Sequence, residues 1–260
     1  YGAGIDDNLN EGLNTINLSR NTENWVINDF RNPEHYEMFE VSNIKDGDVI
    51  KLLSDLVINS NTFIVDDGKQ VTLDMNGKKL SVTDIKTSNY ELFYIYGEMI
   101  VTGNGVIELS AINNRAWNAM SAIFHNRGGL LTIKNGTYVH LGGTDMAYVV
   151  DNSANYYGDA KTIIEGGKLY STYTAIRNRM EQNSHGASGK AILNVLGGEI
   201  YGTSRSIWAQ ASSTSTISPA TGEITISGGN IGLMYTAYSA GSECMTTISG
   251  GTVSTFKGKV

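Results

Sequence analysis

The stretches TIIEGGKL (Thr162–Leu169), LNVLGGEI (Leu193–Ile200) and ITISGGNI (Ile224–Ile231) are three copies of one motif. Each is an alternating apolar run, stopped by a glycine and resumed by another apolar residue. Four looser copies flank them: LDMNGKKL (Leu73–Leu80), IVTGNGVI (Ile100–Ile107), LTIKNGTY (Leu131–Tyr138) and TTISGGTV (Thr246–Val253). The marked glycines are Gly77, Gly105, Gly136, Gly167, Gly198, Gly229 and Gly251, separated by 28, 31, 31, 31, 31 and 22 residues. A near-constant period of this size means one supersecondary unit stacked on itself. Because each unit is made of short strand-forming runs, the stack is predicted to be a solenoid of β-coils.

Each unit carries three such runs. One alternates before the glycine (Leu131-Thr132-Ile133), one follows it (Lys168-Leu169-Tyr170), and a third lies farther on (Ile123-Phe124, Tyr148-Val149-Val150, Ala175-Ile176, Ile207-Trp208, Ala237-Tyr238). Three strands per coil predict an all-β chain, a right-handed parallel β-helix of about seven coils over residues 46–260. Inward Ile, Val and Leu should stack in ladders from coil to coil. At about 4.8 Å between paired strands, seven coils make a rod roughly 34 Å long. Residues 1–45 do not repeat and hold Trp25, Phe30, Pro33, Tyr36 and Phe39 among charges. They read as a cap or docking segment, which a terminal coil needs over its inner face. Longer units place their extra residues at 113–120, 153–159, 180–189 and 211–222, positions that would cluster on one side of the rod.

The stretch from Asp46 to Val82 and the ends Ile226-Ser227-Gly228-Gly229 and Ile248-Ser249-Gly250-Gly251 resemble β-helix domains of bacterial and phage surface proteins, adhesin-like and pectin-lyase-like β-solenoids. The resemblance covers about four-fifths of the chain. It implies a location outside the cytoplasm, on a cell or virion surface, and implies no activity, since fold alone does not assign one.

Composition narrows the partners. Residues 1–60 hold 11 acids and 4 bases, which already accounts for the net charge of −7, and the rest of the chain is balanced. With no basic cluster to neutralise phosphates, nucleic acid is an unfavourable ligand. The single cysteine, Cys244, rules out an internal disulfide framework, and no apolar run reaches the roughly 20 residues of a membrane span.

Aligning the third runs brings one column of side chains together: Asp66-Asp67, Tyr96, His125-Asn126-Arg127, Asp151-Asn152, Arg177-Asn178-Arg179, Trp208 with Gln210, and Tyr238-Ser239. Guanidinium forks, amides and an indole are groups that hold a carboxylate-bearing sugar. The candidate ligand-binding residues are therefore His125, Asn126, Arg127, Asp151, Arg177, Arg179, Trp208 and Tyr238. Asp66 and Asp67 offer oxygen ligands for calcium, although Asp66-Asp67-Gly68 also reads as a tight turn; no other cofactor is indicated. The four histidines lack metal-ligand spacing, and the aspartate clusters of β-helix lyases and hydrolases are missing. The expectation is a non-enzymatic module for adhesion, glycan or receptor binding, or a fibre subunit able to associate end to end or laterally. A polysaccharide lyase or glycoside hydrolase acting on the same column is the alternative.

Overall fold

The computed structural model describes residues 15–18, 46–58, 62–83, 90–110, 120–142, 146–154, 158–181, 189–212, 221–237 and 243–258. Among these the chain is all-β without a helix, and every strand pairing is parallel, in two sheets of nine and fourteen strands. Each strand pairs with the strand one coil away in sequence, the pattern of a β-solenoid. No helix among the described residues is long and apolar enough to cross a membrane.

Three strand stacks recur. The first forms the nine-stranded sheet and runs through Val49–Leu52, Gln70–Asp74, Glu98–Thr102, Leu130–Ile133, Ala160–Ile164, Ala191–Val195, Thr221–Ile226 and Glu243–Ile248. Thr15–Leu18 is also in this sheet, in register with Val49–Leu52. The remainder of residues 1–45 lies outside the described residues. The second stack includes Val106–Ser110, Thr137–Leu141, Lys168–Ser171 and Glu199–Gly202; the third includes Tyr90–Ile95, Ser121–Asn126, Ala147–Ala154, Thr174–Glu181 and Arg205–Ser212. Asn230–Ala237 fuses the two: its start pairs with Glu199–Gly202 and its end with Arg205–Ser212. That fusion removes the turn between second and third strands and accounts for four of the nine residues by which the last unit is short; a shorter connection to the next first-stack strand accounts for the other five.

The corners depend on glycine. Gly167, Gly198 and Gly229 have φ of 92°, 90° and 85°, a left-handed region that a Cβ disfavours. A Cβ on any of them would also lie 2.7–2.9 Å from the carbonyl oxygen of the corner glycine one coil earlier. That oxygen instead accepts the next backbone amide, from Lys168 (2.8 Å), Glu199 (2.8 Å) and Asn230 (2.8 Å). In the Gly105 unit the positive φ shifts to Gly103 and Asn104, at 94° and 52°.

Apolar ladders fill the interior, two of them in the first and third stacks. In the first stack Ile50, Leu73, Val101, Ile133, Ile164, Val195, Ile226 and Ile248 stand in direct register. All are buried except Ile248, which is 49 % exposed on the last rung. Each buried rung contributes about 1.5–3 kcal/mol by removing its side chain from water. In the third stack Phe63, Phe93 and Phe124 stack at 5.0 and 5.3 Å, and Tyr138 meets Phe124 edge-on.

A third ladder is polar. Asn126, Asn152 and Asn178 occupy one inward register position, fully buried. Asn126 Nδ2 donates to Asn152 Oδ1 (3.0 Å), and Asn152 Nδ2 donates to Asn178 Oδ1 (2.7 Å). The amides also satisfy carbonyls of the first stack, Lys161 by Asn126, Ala160 and Ile192 by Asn152, and Ala191 by Asn178. Asn126 is thus spent inside the coil. Neither it nor Asn152 and Asn178 face outward as the column alignment placed them, because the strand pleat turns them to the side opposite His125, Asp151 and Arg177.

Replacing Asn152 by Ala strips partners from several buried groups at once, so stability should fall by about 3 kcal/mol or more. Ile226→Ala should cost about 2–5 kcal/mol, whereas Ile248→Ser on the exposed rung should stay within about 0.5 kcal/mol. Urea unfolding of the three variants against the parent chain tests the ranking.

Candidate functional site

The outer face of the third stack is where the candidate residues meet. Its strands Ser121–Asn126 and Ala147–Ala154 are buried along their whole length, so this face, unlike an ordinary solvated one, is covered as well as lined. The central column in register is Tyr94, His125, Asp151, Arg177, Trp208 and Tyr235. A second column, Glu91, Ala122, Tyr148, Thr174 and Arg205, runs beside it. Its offset of three residues rather than two has a local cause. These strands commit two consecutive residues to the core, Leu92-Phe93, Ile123-Phe124, Val149-Val150 and Ala175-Ile176.

Asp151 is the electrostatic centre. Arg177 Nε donates to its Oδ1 (2.8 Å) and Nη2 to its Oδ2 (2.5 Å), a bidentate pair in which both residues are buried. Ser153 Oγ donates to Oδ1 (3.1 Å), and His125 Nε2 lies 3.4 Å from Oδ2. Burial disfavours charge on Asp151, but Arg177, His125 and Arg179 outweigh it and hold the carboxyl well below the usual carboxylate range. On the other side of His125, Nδ1 is 3.7 Å from Glu91 Oε1, and the Tyr94 ring leans over the imidazole at 5.0 Å. Tyr94 hydrogen-bonds Glu91, and burial together with that negative charge raises its phenol well above the usual range. Arg177 further covers the Tyr148 ring at 4.3 Å and donates to Met120 Sδ. Burial pushes the Tyr148 phenol up to about 12, against the opposing pull of Arg177. The sequence Glu91–His125–Asp151–Arg177 is therefore one ladder of alternating character across four coils.

Next to it stands an arginine ringed by aromatics. The Arg205 guanidinium lies 4.4 Å from the Trp208 ring, 4.9 Å from Tyr235 and 5.6 Å from Tyr173, and its Nη1 donates to Tyr173 Oη (3.0 Å). All four residues are half-buried. The four arginines among the described residues, Arg127, Arg177, Arg179 and Arg205, all belong to this stack or its edge. They face the two carboxylates Glu91 and Asp151, so the described side chains leave this face positive on an acidic chain. Several buried polar atoms here make no hydrogen bond: His125 Nδ1, Tyr148 Oη, Thr174 Oγ1, Trp208 Nε1 and Gln210 Oε1. Native interiors leave few such atoms, and these gather on one stack.

His125, Asp151, Arg177 and Trp208 thus share the central column, with Arg127 and Arg179 at its edge. Tyr238 lies outside the described residues; the rung after Trp208 is filled by Tyr235. Asp66 sits in a turn closed by the Lys69 amide on its carbonyl (3.2 Å), with its carboxylate 3.5 Å from Lys69 Nζ, and Gly68 has φ of 73°. Asp67 shares that turn. No group of three or more His, Cys, Asp or Glu residues able to hold a metal is assembled among the described residues. Glu91, Tyr94, Tyr148, Tyr173 and Arg205 were missed by the sequence reading. Tyr148 and Arg205 recur in step with the repeat and could have been found by allowing a three-residue offset.

No family model matches this chain, and neither any curated protein nor any solved structure is similar to it.

Removing Asp151 leaves the Arg177 charge buried, so Asp151→Ala should lose about 3–5 kcal/mol, and the double variant Asp151→Asn with Arg177→Met should recover most of it. Because the folded carboxyl titrates below its unfolded value near pH 3.9, its contribution is present above that pH and is lost as pH falls toward the folded value. The stability gap between the parent chain and Asp151→Asn should therefore narrow below about pH 4. Urea midpoints measured from pH 7 down to pH 3 test this.

Proposed function

We propose that the chain is a non-enzymatic binding module, a right-handed parallel β-helix of about seven coils with residues 1–45 as its cap or docking segment, displayed on a cell or virion surface. Its ligand is an acidic glycan, held at the half-buried margin of the third stack around Arg179, Arg205 and Trp208. The observation that carries this reading is the gathering of every described arginine on the outer face of that stack, in an acidic chain, beside the half-buried rings of Tyr173, Trp208 and Tyr235. A carboxylate-bearing sugar offers acceptor oxygens suited to the guanidinium groups of Arg179 and Arg205 at the half-buried margin of this face.

A lyase or hydrolase on this face would need a carboxylate or base free to exchange a proton with substrate. Asp151 is fully buried and held in its charged form by Arg177, and Glu91 is engaged by Tyr94. Those pairings favour a scaffold role for the charges and leave binding to the half-exposed groups around them. A purely structural fibre subunit shares the fold but gives no reason for the arginine distribution.

Glucuronic acid oligosaccharides should bind the chain in calorimetry, with affinity falling as salt rises. Trp208→Ala and Arg179→Ala should each weaken binding roughly tenfold or more, the value of one charge-assisted or aromatic contact. Unchanged binding in both variants would sink the proposal, and release of new sugar ends would turn it toward the enzyme alternative. Chelator should leave the melting temperature unmoved, since the Asp66 carboxylate is already paired with Lys69.

A further inference from the structure

The second stack carries a feature that the arginine face does not use. Tyr170 and Tyr201 are register partners on adjacent coils, with ring centroids 5.7 Å apart and planes 13° from parallel. Tyr201 is 53 % exposed, a large value for an aromatic ring within a strand. The strand beyond it places Gly232 beside that ring: a Cβ built there would lie 3.4 Å from Tyr201 Cδ2. Being glycine, it sets no side chain against the ring side turned away from Tyr170. The charged groups two residues before the tyrosines, Lys168 and Glu199, neutralise each other at 3.2 Å, and the exposed residues Thr203, Asn230 and Ser254 are uncharged and polar.

This platform is continuous with the arginine face. Tyr201 and Arg205 are separated by the corner 202–204, and Ser206 Oγ clamps that corner by accepting the amides of Gly202 (3.3 Å) and Leu233 (3.2 Å). Tyr173, which accepts from Arg205, is three residues beyond Tyr170 on the preceding coil. A ligand seated at Arg205 and extended around the corner meets the Tyr201 ring within one rung.

We propose that the ligand is an oligosaccharide chain of mixed charge, whose acidic sugar sits on the arginine face and whose neighbouring neutral sugar stacks on Tyr201. This rests on the acidic-glycan reading above. The chemistry is complementary in both parts. Guanidinium groups take the carboxylate, while an aromatic face with an uncharged polar rim takes a neutral pyranose by its C–H side and its hydroxyls. A pair of tyrosines serving only as a cross-strand support would stabilise the stack without affecting any ligand.

The test compares glucuronic acid with a tetrasaccharide alternating glucuronic acid and N-acetylglucosamine, by calorimetry on the full chain. The parent chain should bind the tetrasaccharide at least about tenfold more tightly, the value of one good stacking contact. Tyr201→Ala should abolish that advantage and leave glucuronic acid affinity unchanged, and Tyr201→Phe should keep it. An equal affinity of the parent chain for both probes, or an advantage that survives Tyr201→Ala, overturns the platform while leaving the arginine reading in place. Failure of the parent chain to bind either probe overturns both. Arg179→Ala, which should weaken both probes together, separates loss of the arginine contact from loss of the platform.

Discussion

The contact on which the rest depends is backbone against backbone at the glycine corner. Gly167 rests on the carbonyl of Gly136, Gly198 on that of Gly167 and Gly229 on that of Gly198, each so close that a methyl group would collide. The same carbonyl takes a backbone hydrogen bond from the residue after the glycine. A corner held this tightly has no freedom to slip by one residue, and a slip would send every apolar side chain to the wrong face. The alignment of Ile133, Ile164, Val195 and Ile226 follows from that restraint, as do the asparagine ladder and the columns of the outer face.

Strict register also creates the electrostatics. Rungs lie about 4.8 Å apart, so side chains at one coil position become close neighbours whatever their separation in sequence. Residues 26 apart, Asp151 and Arg177, become a bidentate pair, and His125 falls between two carboxylates. Buried pairs of this kind offer little net stability against apolar substitutes. What they do here is fix the positions of the groups around them. The Arg177–Asp151 pair anchors the Tyr148 ring beneath its guanidinium, and the half-exposed Arg179, Trp208 and Arg205 stand at its margin.

Much of this was legible in the sequence, for a physical reason. Glycine spacing reports the corners directly, because only glycine fits them, so the four intervals of 31 residues translate into strand pairing. The charged column was legible from the apolar runs instead, because His125, Asp151, Arg177 and Trp208 each directly follow a core residue of the third strand, Phe124, Val150, Ile176 and Ile207. Three features were hidden. Asn126 looked like a neighbour of His125 on a polar surface, and only the pleat shows that it points inward. Tyr148 and Arg205 escaped because two consecutive core residues break the period of two. Tyr238 was aligned with Trp208 because the last unit was read with a turn between its second and third strands. Without that turn Met234 enters the core column and Tyr235 takes the rung. Burial of the column was not legible at all, since nothing in residue order distinguishes a covered outer face from a wet one.

Since every strand pairs with the strand one coil before it, the loop closed by each new coil has nearly the same length throughout the rod. The entropy of closing a loop depends on that length, so adding a coil costs the same at the seventh position as at the second. Folding can then advance as a front, each coil settling on the exposed edge of the one before. A chain delivered gradually from its N-terminal side would find its template already built. Within the first stack, the exposed rung at Ile248 is the last described position that such a front reaches.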